Sequence, residues 1–159
     1  MVVVQTQDFD VAALNAQLRS TAGGKAGAMV TFVGYVRDQA DGTPTQSLFL
    51  EHYPGMCERE INDVCAQARA RWPILDTLVV HRVGELHLTD QIVYVGVTSA
   101  HRGDAFRACE FIMDVLKTRA PFWKRETLAD GQRFWVQQRD SDTDKTDSWN
   151  TIPDSPHHV

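Results

Sequence analysis

Cysteine is scarce in this chain. Only Cys57, Cys65 and Cys109 occur, and no two of them form a CxxC pair. An odd, widely spaced set argues against a disulfide framework. Cys57 and Cys65 fall on the apolar stripe of one predicted helix, and Cys109 on that of another. Buried, unreactive thiols are therefore expected, since free cysteine is among the most buried residue types. No apolar run approaches the roughly 20 residues of a membrane span. The opening residues, Met1-Val2-Val3-Val4-Gln5, show no basic region followed by a long apolar one, so no signal peptide is expected and a cytoplasmic protein is. A dinucleotide-type GxGxxG and a P-loop are both missing, and Gly23-Gly24-Lys25 is a lone loop fragment. There is no HExxH and no Cys/His cluster. His52, His81 and His87 lack ligand spacing, so neither a metal nor a cofactor is expected. Excess positive charge is missing too. The net charge is −5, whereas a protein built to bind nucleic acid is usually basic overall.

What is present is an ordinary soluble composition over 159 residues. That length implies one domain, with room for a small subdomain, and a real core without staples. Val2 to Gln5 reads as a strand. Asp8 or Asp10 can cap a helix through about Leu18. Gly27 to Val36 is β-branched and apolar, a buried strand. Arg37 to Ser47 is polar with Gly and Pro, which predicts a mobile loop. Leu48 to Tyr53 is the next strand. Pro54 suits the first position of a helix, and apolar residues then recur at helical spacing as far as Trp72. Leu75 to Val83 and Gln91 to Ser99 are strands on either side of a turn region near Thr89-Asp90. Gly103-Asp104 opens a second long helix that Ala120-Pro121 stops. Phe122 to Thr127 and Arg133 to Gln138 pair as a predicted hairpin. From Asp140 onward the chain is polar and acidic, a predicted flexible tail. The domain is thus expected over 1–139 and the tail over 140–159. The order of elements fits an α+β fold, with helices on a largely antiparallel sheet, and does not fit a doubly wound one.

One segment stands out chemically. Between His101 and Glu126 the chain is locally positive, carrying Arg102, Arg107, Lys117, Arg119, Lys124 and Arg125 against few acids. This reversal of the overall sign points to a small anionic ligand in a folded site. His101-Arg102 lies where a strand turns into a helix, and helix N-termini carry free N–H groups and partial positive charge. A guanidinium and an imidazole added there suit phosphate or carboxylate. Lys117 closes the same helix, and Lys124 follows Pro121-Phe122-Trp123. A partly desolvated lysine can act as acid, base or amine nucleophile. Arg37, at a strand end before a loop, can clamp an anion or simply be exposed. Phe122 and Trp123 can stack on a planar heterocycle or sit in the core.

Several blocks taken together resemble one family, the large, catalytic subunit of molybdopterin synthase. They are Val30-Thr31-Phe32-Val33-Gly34-Tyr35-Val36-Arg37, Leu50-Glu51-His52-Tyr53-Pro54-Gly55-Met56, His81-Arg82-Val83-Gly84-Glu85-Leu86, Val95-Gly96-Val97-Thr98-Ser99-Ala100-His101-Arg102, and the long run from Phe111 to Glu126. The resemblance implies an α/β hammerhead fold with an additional antiparallel β subdomain. It implies a homodimer within a heterotetramer, flanked by a small ubiquitin-like sulfur-carrier subunit whose C-terminal Gly-Gly is charged as a thiocarboxylate. The implied reaction is transfer of that sulfur to cyclic pyranopterin monophosphate, giving the molybdopterin dithiolene in molybdenum cofactor biosynthesis.

The implied substrate pocket uses Tyr35, Val36, Arg37, His101, Arg102, Lys117, Lys124, Arg125 and Glu126, with Arg139 reaching across the dimer. Lys117 would be the principal catalytic group, acting by proton transfer. Lys124 would stabilise developing negative charge. Arg37, His101 and Arg102 would orient the phosphate. Three other functions compete with this one. A non-catalytic pterin or phosphate-binding module would need no catalytic lysine. A persulfide sulfurtransferase would use a cysteine of its own. An RNA-binding protein is disfavoured by the acidic balance.

Overall fold

The computed structural model describes residues 1–38, 42–119, 121–136 and 140–151. Two four-stranded sheets and four α-helices make up the described chain. The first sheet is ordered β1 (Val2–Gln5), β4 (Ile74–Arg82), β6 (Gln91–Ser99), β2 (Ala28–Tyr35). β1 runs parallel to β4, and the other two pairings are antiparallel.

Alternation along these strands divides the apolar side chains between two faces. Val79, Val93, Val95 and Val97 pack with Ile61, Val64 and Ala68 of α2 (Met56–Arg71) and with Ala108, Ile112 and Val115 of α3 (Arg102–Arg119). Leu78, Val80 and Tyr94 face the other way, onto Leu14 and Leu18 of α1 (Val11–Ala22). Gly96 makes this second layer possible. A Cβ there would lie 2.6 Å from Leu18 and 2.7 Å from the Tyr94 hydroxyl.

The second sheet is fully antiparallel, in the order β5 (Gly84–His87), β3 (Thr45–His52), β7 (Phe122–Leu128), β8 (Arg133–Trp135). Its inner side carries Leu48, Leu50 and Leu86, packed with Val36 and with Ile92 at the start of β6. This is the expected α+β architecture with a separate antiparallel unit.

Several local expectations change. The helix after β3 starts at Met56 and not at Pro54. Gly55, at φ 84°, is its N-cap residue, and its N–H donates to the Glu58 carboxylate at 2.7 Å. The loop after Arg37 is shorter than expected, because Thr45 already belongs to β3. The turn before β6 contains the short strand β5.

The largest change concerns the stretch beyond Asp140. In place of a flexible tail over all of 140–159, residues 140–151 form α4 (Asp140–Thr151), and the remainder of the expected tail, 152–159, lies outside the described residues. Trp149 is only 9% exposed and meets Trp72 and Phe111 edge-on, with ring centroids 5.6 Å away in each case. The Arg71 guanidinium donates to the Trp149 carbonyl at 3.0 Å. Trp149 is the one large apolar residue of this otherwise polar helix, and its indole buries far more area than its neighbours can.

No helix among the described residues is long and apolar enough to cross a membrane. All three cysteines are free and buried.

Candidate active site

A cavity of about 640 Å³ opens where the C-terminal end of α3 meets β7 and the end of β2. Lys117 and Lys124 both line it. The chain brings them together by two periodicities. Lys117 lies one helical turn after Met113, which also lines the cavity, so both project from the same side of α3. Pro121 then ends the helix path, because it offers no N–H to continue the ladder. In β7, which follows at once, Phe122, Lys124 and Glu126 share one face. Lys124 stands opposite Leu50 of β3.

Lys117 is more than half exposed, and its Nζ lies 3.9 Å from the Asp142 carboxylate of α4. Tyr35 and Arg37 sit at the cavity's rim, both exposed. The deeper wall contains a stacked pair, His81 on Phe122, with centroids 4.1 Å apart and planes at 18°. Phe122 is thus a cavity-wall residue. Trp123 turns to the opposite side of the sheet, where it meets Tyr53 edge-on at 4.9 Å.

The remaining expected site residues lie elsewhere. His101 and Arg102 flank a separate hollow at the start of α3, together with Gly27, Ala100 and Gly103. Gly27 has to be glycine there, because a Cβ would sit 2.2 Å from the Ala100 carbonyl oxygen. Lys117 lies fifteen positions after Arg102 on the same helix, a rise of about 22 Å. One chain therefore keeps these two anion-binding clusters apart.

Val36 is 2% exposed and belongs to the core. Its N–H donates to the Asp90 carbonyl, and its own carbonyl accepts from Thr89. Glu126 is 3% exposed and accepts a short hydrogen bond from the Thr45 hydroxyl. It therefore ties β7 to the start of β3, with its side chain inside the protein. Arg125 points to the other face of the sheet and stacks over Phe49 at 5.0 Å, with Trp135 at 5.9 Å. Arg139 lies outside the described residues.

Among the cavity residues not legible as such in the sequence are His81, Asp142 and the apolar Met113. His81 belongs to a strand whose alternation looks purely structural, and Asp142 to a helix with no apolar period to reveal it.

The cysteines do not line the cavity. Burial raises the pKa of all three thiols, and pushes Cys109 up to about 12. Such thiols stay protonated and poorly nucleophilic. Among the described residues, no group of three His, Cys, Asp or Glu side chains converges as a metal site.

Two cations in a half-apolar cavity, with a guanidinium at the rim, suit a ligand that is part anion and part planar ring. The family model described as MoaE protein matches residues 4–119. The molybdopterin synthase catalytic subunit of Vibrio cholerae serotype O1 is 51% identical over 148 residues, covering 93% of this chain and 97% of that protein. The molybdopterin cofactor biosynthesis protein E of Burkholderia multivorans superposes with a TM-score of 0.79 at 48% identity, covering 94% of this chain and 96% of that one. A complex of subunits 1 and 2 of the molybdopterin-converting factor of Helicobacter pylori shares the fold, with a TM-score of 0.70 at 19% identity over 87% of this chain and 91% of that one.

Proposed function

The chain belongs to the MoaE protein family, and from that membership we propose that it is the catalytic subunit of a molybdopterin synthase. It takes sulfur from the thiocarboxylated Gly-Gly end of a small carrier subunit. It delivers that sulfur to cyclic pyranopterin monophosphate, building the dithiolene of molybdopterin. The observation that carries this reading is the convergence of Lys117 and Lys124 on one cavity from two different elements.

In this reading the cavity's mouth admits the carrier's extended C-terminal tail beside Lys117. Gly-Gly suits a narrow entry, because it has no side chains to clash. Lys117 is the principal catalytic group and moves a proton during attack by the thiocarboxylate sulfur or during breakdown of the acyl intermediate. Lys124, on the strand behind it, stabilises negative charge on the substrate. Arg37 at the rim orients the phosphate. Tyr35 borders the same opening. Glu126 acts indirectly, since its buried bond to Thr45 fixes the strand that carries Lys124. Val36 and Arg125 likewise support the strands flanking the cavity.

His101 and Arg102 enter through the homodimer. A single chain holds them about 22 Å along α3 from Lys117, so they complete the phosphate site only when supplied by a second copy. That arrangement makes the homodimer a requirement for activity. Arg139, a few residues from Asp142, is the further candidate to cross between copies. Three unpaired thiols suit a reducing compartment, and we place the reaction in the cytoplasm.

The deciding experiment mixes the protein with thiocarboxylated carrier and cyclic pyranopterin monophosphate and reads the product by mass. Gain of two sulfurs supports the assignment. Binding of the pterin with no sulfur gained by any preparation would favour a non-catalytic binding module.

A further inference from the structure

His81 plays no part in the chemistry above, yet it forms part of the cavity wall. Its Nδ1 lies 2.7 Å from the Arg82 carbonyl oxygen. A carbonyl only accepts, so Nδ1 must carry a hydrogen and donate. In a neutral imidazole the remaining nitrogen, Nε2, then presents a lone pair. Nε2 has no hydrogen-bond partner among the described residues. The ring cannot turn easily, because it is stacked on Phe122 at 4.1 Å.

The rest of the cavity offers mainly donors. Lys117 and Lys124 are cations, and Arg37 is a third at the rim. The Asp142 carboxylate already faces Lys117. The Thr118 hydroxyl is engaged with the Val115 carbonyl and with Thr146. Beside a flat aromatic pair, Nε2 is thus an oriented acceptor nitrogen in a site otherwise built for anions. A cyclic phosphodiester anion carries no O–H and has no use for it, whereas a heterocycle with ring N–H or amino groups does.

We infer that His81 is a substrate-binding residue whose Nε2 accepts a hydrogen bond from an N–H of the bound heterocycle, fixing that ring against the His81–Phe122 wall. This inference rests on the synthase reading for the identity of the ligand. Burial, with a smaller contribution from His52, lowers the imidazole's pKa to about 4, so the acceptor form is the one present at neutral pH. A pterin carries several N–H donors, and Nε2 is an acceptor for one of them held in place by the ring stack and by the backbone bond at Nδ1. His81 therefore selects for the ring, while the lysines and Arg37 select for charge.

The test uses the full chain with its carrier and compares His81→Phe and His81→Gln with the parent. Phenylalanine keeps a ring on Phe122 and removes both nitrogens. Glutamine can return an acceptor oxygen near the position of Nε2. The expected result for His81→Phe is a KM for cyclic pyranopterin monophosphate raised about tenfold or more, with kcat changed far less. Inhibition by inorganic phosphate should be unchanged, and glutamine should recover most of the lost affinity. A phenylalanine variant with the parental KM would overturn the inference. So would a parallel loss of phosphate and pterin binding, which marks a merely structural residue.

A second measurement needs no variant. In the ¹⁵N spectrum of the unaltered protein, addition of the cyclic pterin should move the His81 Nε2 signal in the direction of a hydrogen-bonded acceptor, and inorganic phosphate should not. An unmoved signal at saturation would overturn the inference. This titration gives its answer even if the parent protein yields no dithiolene, so failure of the synthase reading and failure of the His81 assignment remain distinguishable.

Discussion

The indole N–H of Trp149 donates to the Asp114 carboxylate at 2.8 Å, joining α4 to the middle of α3. The Thr146 hydroxyl adds a second tie, donating to the Asp114 carbonyl at 2.8 Å. These bonds hold Asp142, four residues before Thr146, beside Lys117.

Trp149→Ala should therefore cost about 3 kcal/mol, within the range for emptying a buried aromatic site. Chemical denaturation of the parent and variant measures it. A change below about 1 kcal/mol would mean that α4 contributes little to the fold.

A second prediction concerns acid stability. His81 is lowered by burial from 6.5 to about 4. The unfolded chain then binds more protons than the folded one between those two values, so stability falls as pH drops through that window. At its acid end the loss attributable to His81 is roughly 3 kcal/mol or less, since about 1.4 kcal/mol accompanies each pKa unit and the ring retains some solvent access. Above pH 6.5 this loss is absent, because the imidazole is neutral in both the folded and the unfolded chain. His81→Phe should flatten the slope between pH 6.5 and 4 in urea titrations. An unchanged slope would show that the ring is freely hydrated when folded.

Gly96→Ala should destabilise the layer between α1 and the first sheet. Its Cβ would press on Leu18, on the Tyr94 hydroxyl and on the Tyr94 ring, all within 2.9 Å. Leu18 and Tyr94 are almost fully buried, and the Tyr94 hydroxyl is bonded to Asn15 at 2.7 Å. Little room exists for either to yield, so a loss of about 2 kcal/mol is expected. Thermal unfolding would register it, and a neutral substitution would show that this layer repacks readily.

Much of this architecture was legible in the residues. Strands such as Gln91–Ser99 carry β-branched runs, and α2 and α3 carry clear apolar stripes, so local pattern and burial agree. Lys117 and Lys124 were recognisable as partners because a helix stop and a strand start lie between them. The separation of His101-Arg102 from Lys117 within one chain is equally readable, as helix rise alone sets it, so a pocket that uses both clusters needs a second copy of the chain. α4 was hidden because its sequence is polar and its one large apolar residue, Trp149, meets Trp72 and Phe111 from other elements. Glu126 looked like a site charge, but Thr45 of the neighbouring strand β3 supplies a buried hydroxyl to it, a contact that exists only once β3 and β7 have paired. His81 was invisible as a ligand contact for a similar reason. Its role follows from a backbone carbonyl and from a phenylalanine forty-one residues later in the chain.

Lys124→Ala should leave the fold intact and lower the rate of sulfur transfer by about a hundredfold to a thousandfold, the effect of removing one oriented group that stabilises developing charge. Single-turnover kinetics with thiocarboxylated carrier measures it. A parental rate would remove Lys124 from the site.

The most direct measurement is dithiolene formation by Lys117→Ala, read by mass with purified thiocarboxylated carrier and cyclic pyranopterin monophosphate. Sulfur transfer should disappear while the circular dichroism, the dimer and carrier binding stay as in the parent. Dithiolene production at the parental rate by that folded variant would contradict the assignment of Lys117 as the principal catalytic group.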